Sequence, residues 1–270
     1  WKKIGLDSTR HIARIVVHPK NPDVLLVAAQ GALYAPNSER GVYKSVDGGA
    51  TWKRVLFVDE RTGAAELAMD PNNPRILYAA MWEHGRKPWQ VISGGPGSAL
   101  YKSTDMGETW TKMTTGLPKK MGKMAVAVSR SNSERVYALI ESDSNEDERG
   151  LYVSTNAGTS WTKVTDEPRL VQRAWYYIEI FVDPQNEQTV YVLSAPALRS
   201  DDGGRTWSEV RGVHGDYHDM WINPANSSNF ILADDGGAVV TFDKGRSWST
   251  QANMPTAQLY RISVDNAFPY

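Results

Sequence analysis

The chain has 270 residues, of which 41% are hydrophobic, and it contains ten tryptophans and no cysteine. Thirty Lys and Arg residues against 31 Asp and Glu leave a formal charge of −1, which disfavours nucleic-acid binding because that function normally requires a basic patch. The lack of cysteine excludes disulfide scaffolds, thiol nucleophiles and cysteine-based zinc sites. No apolar run reaches the roughly 18–20 residues of a membrane span.

One octapeptide pattern, Ser-x-Asp-x-Gly-x-Thr-Trp, recurs five times along the chain. The tryptophans that end its copies are 58, 51, 46 and 41 residues apart. A pattern repeated at such intervals indicates a repeat architecture. The acidic or amide position and the tryptophan of each copy, in chain order, are Asp47 and Trp52, Asp105 and Trp110, Asn156 and Trp161, Asp202 and Trp207, and Asp243 and Trp248.

The octapeptide has a structural explanation as a tight turn between two strands. The Asp carboxylate accepts hydrogen bonds from nearby backbone N–H groups, and the glycine adopts a conformation that a Cβ atom would oppose. The indole then packs under the hairpin. Asn156 can make the same local hydrogen bonds without the charge. We therefore predict that all five boxes are structural.

Each box lies in a unit of four predicted strands. An alternating strand precedes a Pro/Asn turn and a second, apolar strand; a third strand leads into the box and a fourth leaves it. Four short antiparallel strands in every ~40–50 residues predict the blades of an all-β propeller. Taken in chain order, the five blades are expected at residues 10–58, 62–116, 122–166, 173–212 and 216–254.

The two ends of the chain are expected to hold single strands of further blades. Residues 1–6 match the segments that follow each box, which predicts an orphan outer strand. Residues 258–270 begin like a sixth inner strand. Five complete blades and two orphan strands then form part of a larger propeller. Its terminal sheets would be covered by the remainder of the propeller or by a partner chain.

The boxes resemble the BNR/Asp-box repeat of sialidases, oligoxyloglucan-active glycosidases, sortilin-type receptors and photosystem-assembly factors. Residues 214–221, 234–238 and 255–270 are also similar to large bacterial secreted proteins labelled "glycosyl hydrolase, BNR repeat", which look sortilin-like. The resemblance implies a β-propeller that is secreted, periplasmic or on the cell surface. It does not imply an activity, because the repeat occurs in enzymes and non-enzymes alike.

A functional site is expected at the end of the propeller opposite the boxes, where the chain enters each inner strand and crosses from the second strand to the third. The densest polar cluster there belongs to the fifth blade. His214, Asp216 and His218 precede or begin its inner strand, and Asp234 and Asp235 leave its second strand. Alternation along an extended segment places the first three on one side.

This cluster has three interpretations. It can be a hydrogen-bonded polar plug at the mouth of the channel. His214, His218 and Asp234 could instead bind zinc or another divalent ion. In the third interpretation, Asp216 and Asp235 are the paired carboxylates of a glycosidase, with Glu83 as a further candidate. Sialidase chemistry is disfavoured because the chain has no Arg-Ile-Pro motif.

Aromatic and cationic side chains at the same end are candidates for ligand contact, since aromatic rings stack on sugars. Trp221 lies inside an inner strand and is expected in the core. Two functions remain open: a binding module for a glycan, peptide or protein, which we favour, and a glycoside hydrolase that uses the fifth-blade carboxylates. The ligand-contact candidates are Trp82, Trp89, Arg173, Trp175, Tyr176 and Tyr260.

Overall fold

The computed structural model describes residues 2–142 and 148–251. Within these ranges the chain forms twenty strands and one short 3-10 helix, Pro168–Val171. The strands make five antiparallel sheets, so the predicted all-β propeller is confirmed. The predicted strand over 258–270, with Tyr260, lies outside the described residues, as does Trp1.

The first three blades each contain four consecutively paired strands, and the second carries an additional hairpin strand, β7, paired with β6. The first blade comprises β1 Ile12–Val17, β2 Leu25–Ala29, β3 Gly41–Ser45 and β4 Lys53–Leu56. The second comprises β5 Thr62–Met69, β6 Leu77–Lys87, β7 Gln90–Ser93, β8 Ala99–Ser103 and β9 Thr111–Lys112. The third comprises β10 Met124–Val128, β11 Val136–Ile140, β12 Gly150–Ser154 and β13 Thr162–Thr165.

The fourth blade repeats the four-stranded order, whereas the fifth has three strands among the described residues. At the place of a fourth strand, the Ser249 amide donates to the Val240 carbonyl at 2.9 Å. The fourth blade comprises β14 Glu179–Asp183, β15 Asn186–Leu193, β16 Ala197–Ser200 and β17 Ser208–Glu209. The fifth comprises β18 Tyr217–Ile222, β19 Phe230–Asp234 and β20 Gly237–Thr241.

Every box forms the predicted turn between the third and fourth strand positions of its blade. In the second box, the Ser103 hydroxyl donates to Asp105 Oδ1 at 2.7 Å, and the Thr109 amide donates to the same oxygen at 2.9 Å. The third box keeps this geometry with Asn156, whose Nδ2 donates to Ser160 Oγ at 2.8 Å. The boxes are therefore structural, and the amide replaces the carboxylate by reversing one hydrogen bond.

Apolar side chains fill the space between neighbouring blades. Tyr191 of the fourth blade and Phe230 of the fifth are both buried, and their ring centroids lie 5.6 Å apart. The boxes contribute to this packing: a Cβ atom added at Gly204, whose φ is +95°, would lie 2.2 Å from Leu151 Cδ2 in the third blade. Only glycine allows that close approach at that backbone angle.

The first and fifth blades leave part of their sheets exposed. On β1, Ile15 and Val17 are exposed, and on β18 Trp221 is 54% exposed. The expectation that Trp221 lies in the core is wrong, because more than half of the residue is exposed among the described residues. The expected strand at the N-terminus is not formed at residues 2–6; instead, the Ile4 carbonyl accepts a 2.7 Å hydrogen bond from Trp52 Nε1. None of the described helices could span a membrane.

Candidate functional site

The end of the propeller opposite the boxes carries a projecting hairpin. Strand β6 runs on past its blade to Lys87 and turns back into β7, so residues 82–87, predicted as a connection, are strand. The hairpin reaches the fourth blade, where the Arg86 guanidinium lies 5.5 Å from the ring centroid of Trp175. Lys123, at the start of the third blade, donates to the Tyr176 carbonyl at 3.0 Å. We call this end of the molecule the hairpin face.

Asp216 is held at the hairpin face by two donors from the fourth blade. Its Oδ1 accepts a hydrogen bond from Tyr177 Oη at 2.7 Å and forms an ion pair with Arg173 Nη1 at 2.5 Å. The backbone of Asp216 has a φ of +60°, in the left-handed region that residues other than glycine adopt infrequently.

The second fifth-blade carboxylate, Asp235, is paired with a histidine. Its Oδ1 lies 2.7 Å from His218 Nε2, and its amide donates to the Asp216 carbonyl at 3.1 Å. The His218 ring packs on Tyr177 with centroids 4.6 Å apart. The two carboxylates therefore flank one Tyr–His ring pair, and both are partly exposed.

Tyr177 was not among the residues predicted from the sequence, although it joins the two carboxylates. Burial, followed by the hydrogen bond to Asp216, raises the pKa of its hydroxyl, so the phenol stays protonated as a donor. Its position directly after three predicted site residues, Arg173, Trp175 and Tyr176, was the available signal.

Exposed aromatic rings continue the site across the hairpin face. The rings of Trp175 and Tyr176 lie 6.0 Å apart, and those of Tyr176 and Tyr177 lie 5.2 Å apart. Trp89, at the tip of the hairpin, is 78% exposed. Trp82 differs from the expectation of ligand contact: it is only 3% exposed, and its indole is stacked 4.4 Å from the His84 ring.

The residues predicted to bind a metal ion are not brought together. His214 Nδ1 lies 2.9 Å from the Gly215 carbonyl, while Asp234 Oδ1 accepts hydrogen bonds from the Gly236 amide and from Gln251 Nε2. Among these three described residues, His218 contacts a carboxylate outside the predicted set, that of Asp235. Over residues 2–142 and 148–251, no group of three His, Cys, Asp or Glu side chains could hold a metal ion.

Glu83, the third carboxylate predicted from the sequence, lies on the hairpin strand of the second blade. It is buried, and its Oε2 accepts a 3.0 Å hydrogen bond from the Gly97 amide. Arg61 Nη2 lies 3.4 Å from its other oxygen. Glu83 therefore holds the loop that follows β7 rather than joining the fifth-blade cluster.

Sequence analysis also missed a charged cluster formed between three blades, because Arg14, Glu66 and Glu179 lie within inner strands rather than before them. Arg14 of the first blade binds both oxygens of Glu66 in the second blade at 2.7 and 2.9 Å, and Glu179 of the fourth blade at 2.7 Å. Burial, followed by the nearby charge of Glu66, raises the pKa of Glu179 well above its usual range. Burial lowers the pKa of Lys123 at the same place.

Two parts of the chain match profiles of known protein families. A profile of the Sortilin-Vps10 family, described as sortilin, neurotensin receptor 3, matches residues 40–196. The chain belongs to this family. A profile of the BNR/Asp-box repeat matches residues 198–209, which contain the fourth box.

Individual relatives of this Sortilin-Vps10 chain are enzymes. The chain is 28% identical to a xyloglucanase of Paenibacillus sp. over 276 residues, which cover 88% of the chain and 26% of the enzyme. It is 30% identical to xyloglucanase Xgh74A of Acetivibrio thermocellus over 215 residues, which cover 67% of the chain and 24% of the enzyme. The chain thus spans about a quarter of the length of these relatives.

A solved structure supports the fold independently. An ancestral GH74 enzyme superposes with a TM-score of 0.63 over 91% of this chain and 33% of its own, at 20% identity. At that identity the likeness shows the propeller architecture alone.

Proposed function

We propose that this chain is the part of an extracytoplasmic glycoside hydrolase that binds a polysaccharide of the xyloglucan type across the hairpin face and supplies carboxylates for its cleavage. The observation that carries the proposal is the placement of exposed Trp175 and Tyr176 beside the two carboxylates, Asp216 and Asp235. The xyloglucanase relatives favour catalysis over the binding function preferred from the sequence.

The aromatic part of the face suits a sugar chain. Trp175 and Tyr176 present large, partly exposed rings, and Arg86 packs on the indole from the hairpin. Such rings offer apolar faces that stack on the C–H faces of pyranose rings, while the surrounding polar groups bind the hydroxyls.

The carboxylate part of the face is proposed to supply the acid and the base of glycoside hydrolysis, a reaction that uses a pair of carboxyl groups. Asp216, bound by Arg173 and Tyr177, is assigned the role of carboxylate that activates water or stabilises the developing cation. Asp235, hydrogen-bonded to His218, is assigned proton donation to the leaving oxygen. The glycosidic C–O bond breaks, water adds to the anomeric carbon, and its proton passes to the carboxylate.

Binding is tested with the Trp175→Ala/Tyr176→Ala double variant in the protein that contains this chain. Loss of two stacking rings should weaken affinity for xyloglucan oligosaccharides by about tenfold, as measured by isothermal titration calorimetry. Phe242→Ala is the matched control, since Phe242 is an exposed aromatic residue in the fifth box. Equal weakening in the control would contradict a specific sugar platform.

Catalysis is tested separately with Asp216→Asn and Asp235→Asn. Each variant should lower kcat on xyloglucan by about 10²–10⁴-fold with little change in oligosaccharide affinity, because general acid–base groups act on the transition state. Asp7→Asn serves as the control, as Asp7 lies on the surface in an ion pair with Lys3. Retained turnover in both variants would remove these carboxylates from the mechanism, and binding without turnover by the parent protein would restore the binding-module function.

A further inference from the structure

A cavity of about 360 Å³ lies beside the hairpin, between the first and second blades. It is formed where the Leu33 carbonyl accepts the Arg86 amide at 2.8 Å and the Arg61 carbonyl accepts the His84 amide at 3.1 Å. Its size lies near the lower end of the range for small-molecule sites, about 300–1,000 Å³, and suits a single sugar unit. The lining side chains that matter for its chemistry are Tyr34, Arg40, Arg61, Glu83, Arg86 and Lys87.

Positive charge predominates in this cavity. Four of its side chains are cationic and one is a carboxylate, Glu83, whose nearest cation, Arg61, is 3.4 Å away and largely exposed. Arg86 packs on the ring of Trp175, and Lys87 is exposed. The cavity therefore has more cations than its own anion can neutralise, which favours an anionic ligand.

One of these four cations, Arg40, forms the buried wall of the cavity. Arg40 is fully buried, and its guanidinium donates to the carbonyls of Ala32, Arg61 and His84 rather than to a carboxylate. Burial lowers the pKa of His84 to about 3, so its ring is neutral at physiological pH. The buried Nε of Arg40 and Nε2 of His84 have no hydrogen-bond partner in the structure.

The surroundings of the cavity favour a sugar as the carrier of the negative charge. The exposed ring of Tyr34 stands at its opening and can stack on a pyranose. Arg86 lines the cavity and also packs on Trp175, so a ligand bound there would continue directly into the aromatic part of the hairpin face. A carboxylate on that sugar would meet the Arg and Lys donors in charge-assisted hydrogen bonds.

We propose that this cavity binds a uronic acid residue, with the sugar carboxylate held by Arg61 and Lys87 and the sugar ring against Tyr34. The proposal deepens the proposed function, because it adds an acidic side group or an acidic backbone unit to the glycan that the hairpin face accepts. It can fail on its own, since it concerns a different cavity and a different part of the ligand.

The test compares two probes that differ only at one carbon, methyl β-D-glucuronide and methyl β-D-glucoside. Titration calorimetry with the whole chain should show binding of the glucuronide and at least tenfold weaker binding of the glucoside. Added salt should weaken the glucuronide interaction, because exposed charges are screened. Equal affinity for the two probes, or binding of neither, overturns the uronate proposal whatever the result with xyloglucan.

Variants locate the interaction. Lys87→Gln and Arg61→Gln should each weaken glucuronide binding by about tenfold, the size of a charge-assisted hydrogen bond, and leave binding of xyloglucan oligosaccharides unchanged. Lys112→Gln removes an exposed cation from outer strand β9 and should change neither affinity. N-acetyl-leucine provides a peptide-type carboxylate without a sugar. Tighter binding of that probe than of the glucuronide would overturn the sugar assignment, as would equal weakening by Lys112→Gln.

Discussion

At the scale of single residues, the Asp-boxes show how one carboxylate fixes a turn. In the first box, Asp47 accepts hydrogen bonds from the Thr51 hydroxyl at 2.6 Å, the Thr51 amide at 2.9 Å and the Ser45 hydroxyl at 2.7 Å. These bonds, led by the Thr51 hydroxyl, lower the pKa of Asp47 to about 2. The same bonding lowers the pKa of Asp105, Asp202 and Asp243.

Acid should therefore destabilise four boxes and spare the third. A carboxyl whose pKa is depressed in the folded state stabilises the fold above its unfolded pKa, about 3.9, and this stabilisation is lost as the pH falls through about 2. Asp47→Asn should make the melting temperature less dependent on pH between 4 and 2. Asn156→Asp is the reverse variant and should make it more dependent. Thermal unfolding followed by circular dichroism measures both, and parallel pH curves for all three proteins would contradict this assignment.

At the scale of strands, the inner ring is joined by side chains as well as by packing. Arg14 on β1 links β5 through Glu66 and β14 through Glu179, and the hydrogen bonds that it donates to Glu66 raise the pKa of its guanidinium. Glu179 carries a carboxyl of raised pKa, so it resists ionisation in this position. The cluster thus connects three blades through one cation.

Arg14→Gln should destabilise the propeller because it removes the guanidinium that both Glu66 and Glu179 contact. We expect a loss of about 1–3 kcal/mol in the free energy of unfolding, below the 3–5 kcal/mol of a fully buried pair because Arg14 is partly exposed. The raised pKa of Glu179 favours the folded state at low pH, where its carboxyl is protonated, and this contribution is lost as the pH rises. Arg14 opposes that rise in pKa, so the destabilisation caused by Arg14→Gln should increase from pH 5 to pH 8. Urea denaturation at the two pH values measures it.

The triple variant Arg14→Gln/Glu66→Gln/Glu179→Gln is the control for this prediction. It removes the cation and both carboxyls, so stability should return towards that of the parent, and its pH dependence should be smaller. A triple variant as unstable as Arg14→Gln would mean that the arginine acts through packing rather than through charge.

At the scale of the whole molecule, the five blades bury their apolar faces against one another but not at the two outer faces. Ile15 and Val17 on the first blade and Trp221 on the fifth are exposed within the described residues. Exposed apolar sheet faces of this kind associate with other surfaces in water.

The isolated 270-residue chain should therefore self-associate as its concentration rises. Replacing Ile15 and Trp221 together by threonine should reduce this association and the binding of an apolar dye, since both side chains lie on the exposed faces. Val46→Thr changes an exposed residue in the first box and should have no effect. Sedimentation velocity provides the measurement, and a monomeric parent chain at all concentrations would contradict the prediction.

The position of every box and the order of the blades were predictable from the sequence. The hydrogen bonds of a box connect residues two to four positions apart, as from Ser45 to Asp47 and from Thr51 to Asp47, so eight residues are enough to specify the turn. Alternating apolar strands between such turns then leave a propeller as the architecture that buries them. The same topology predicted that the connections entering the inner strands lie at the end opposite the boxes, but it did not predict the hairpin there.

The tertiary structure alone decided which of the predicted side chains meet there. Arg14 and Glu179 are 165 residues apart in the chain. The contact between Arg86 and Trp175 depends on how far strand β6 of the second blade projects towards the fourth. Likewise Trp82 is buried and Trp221 exposed, in each case against the sequence expectation. Local patterns specify turns and strands, whereas the angle and distance between blades are set by long-range packing, which no short pattern encodes.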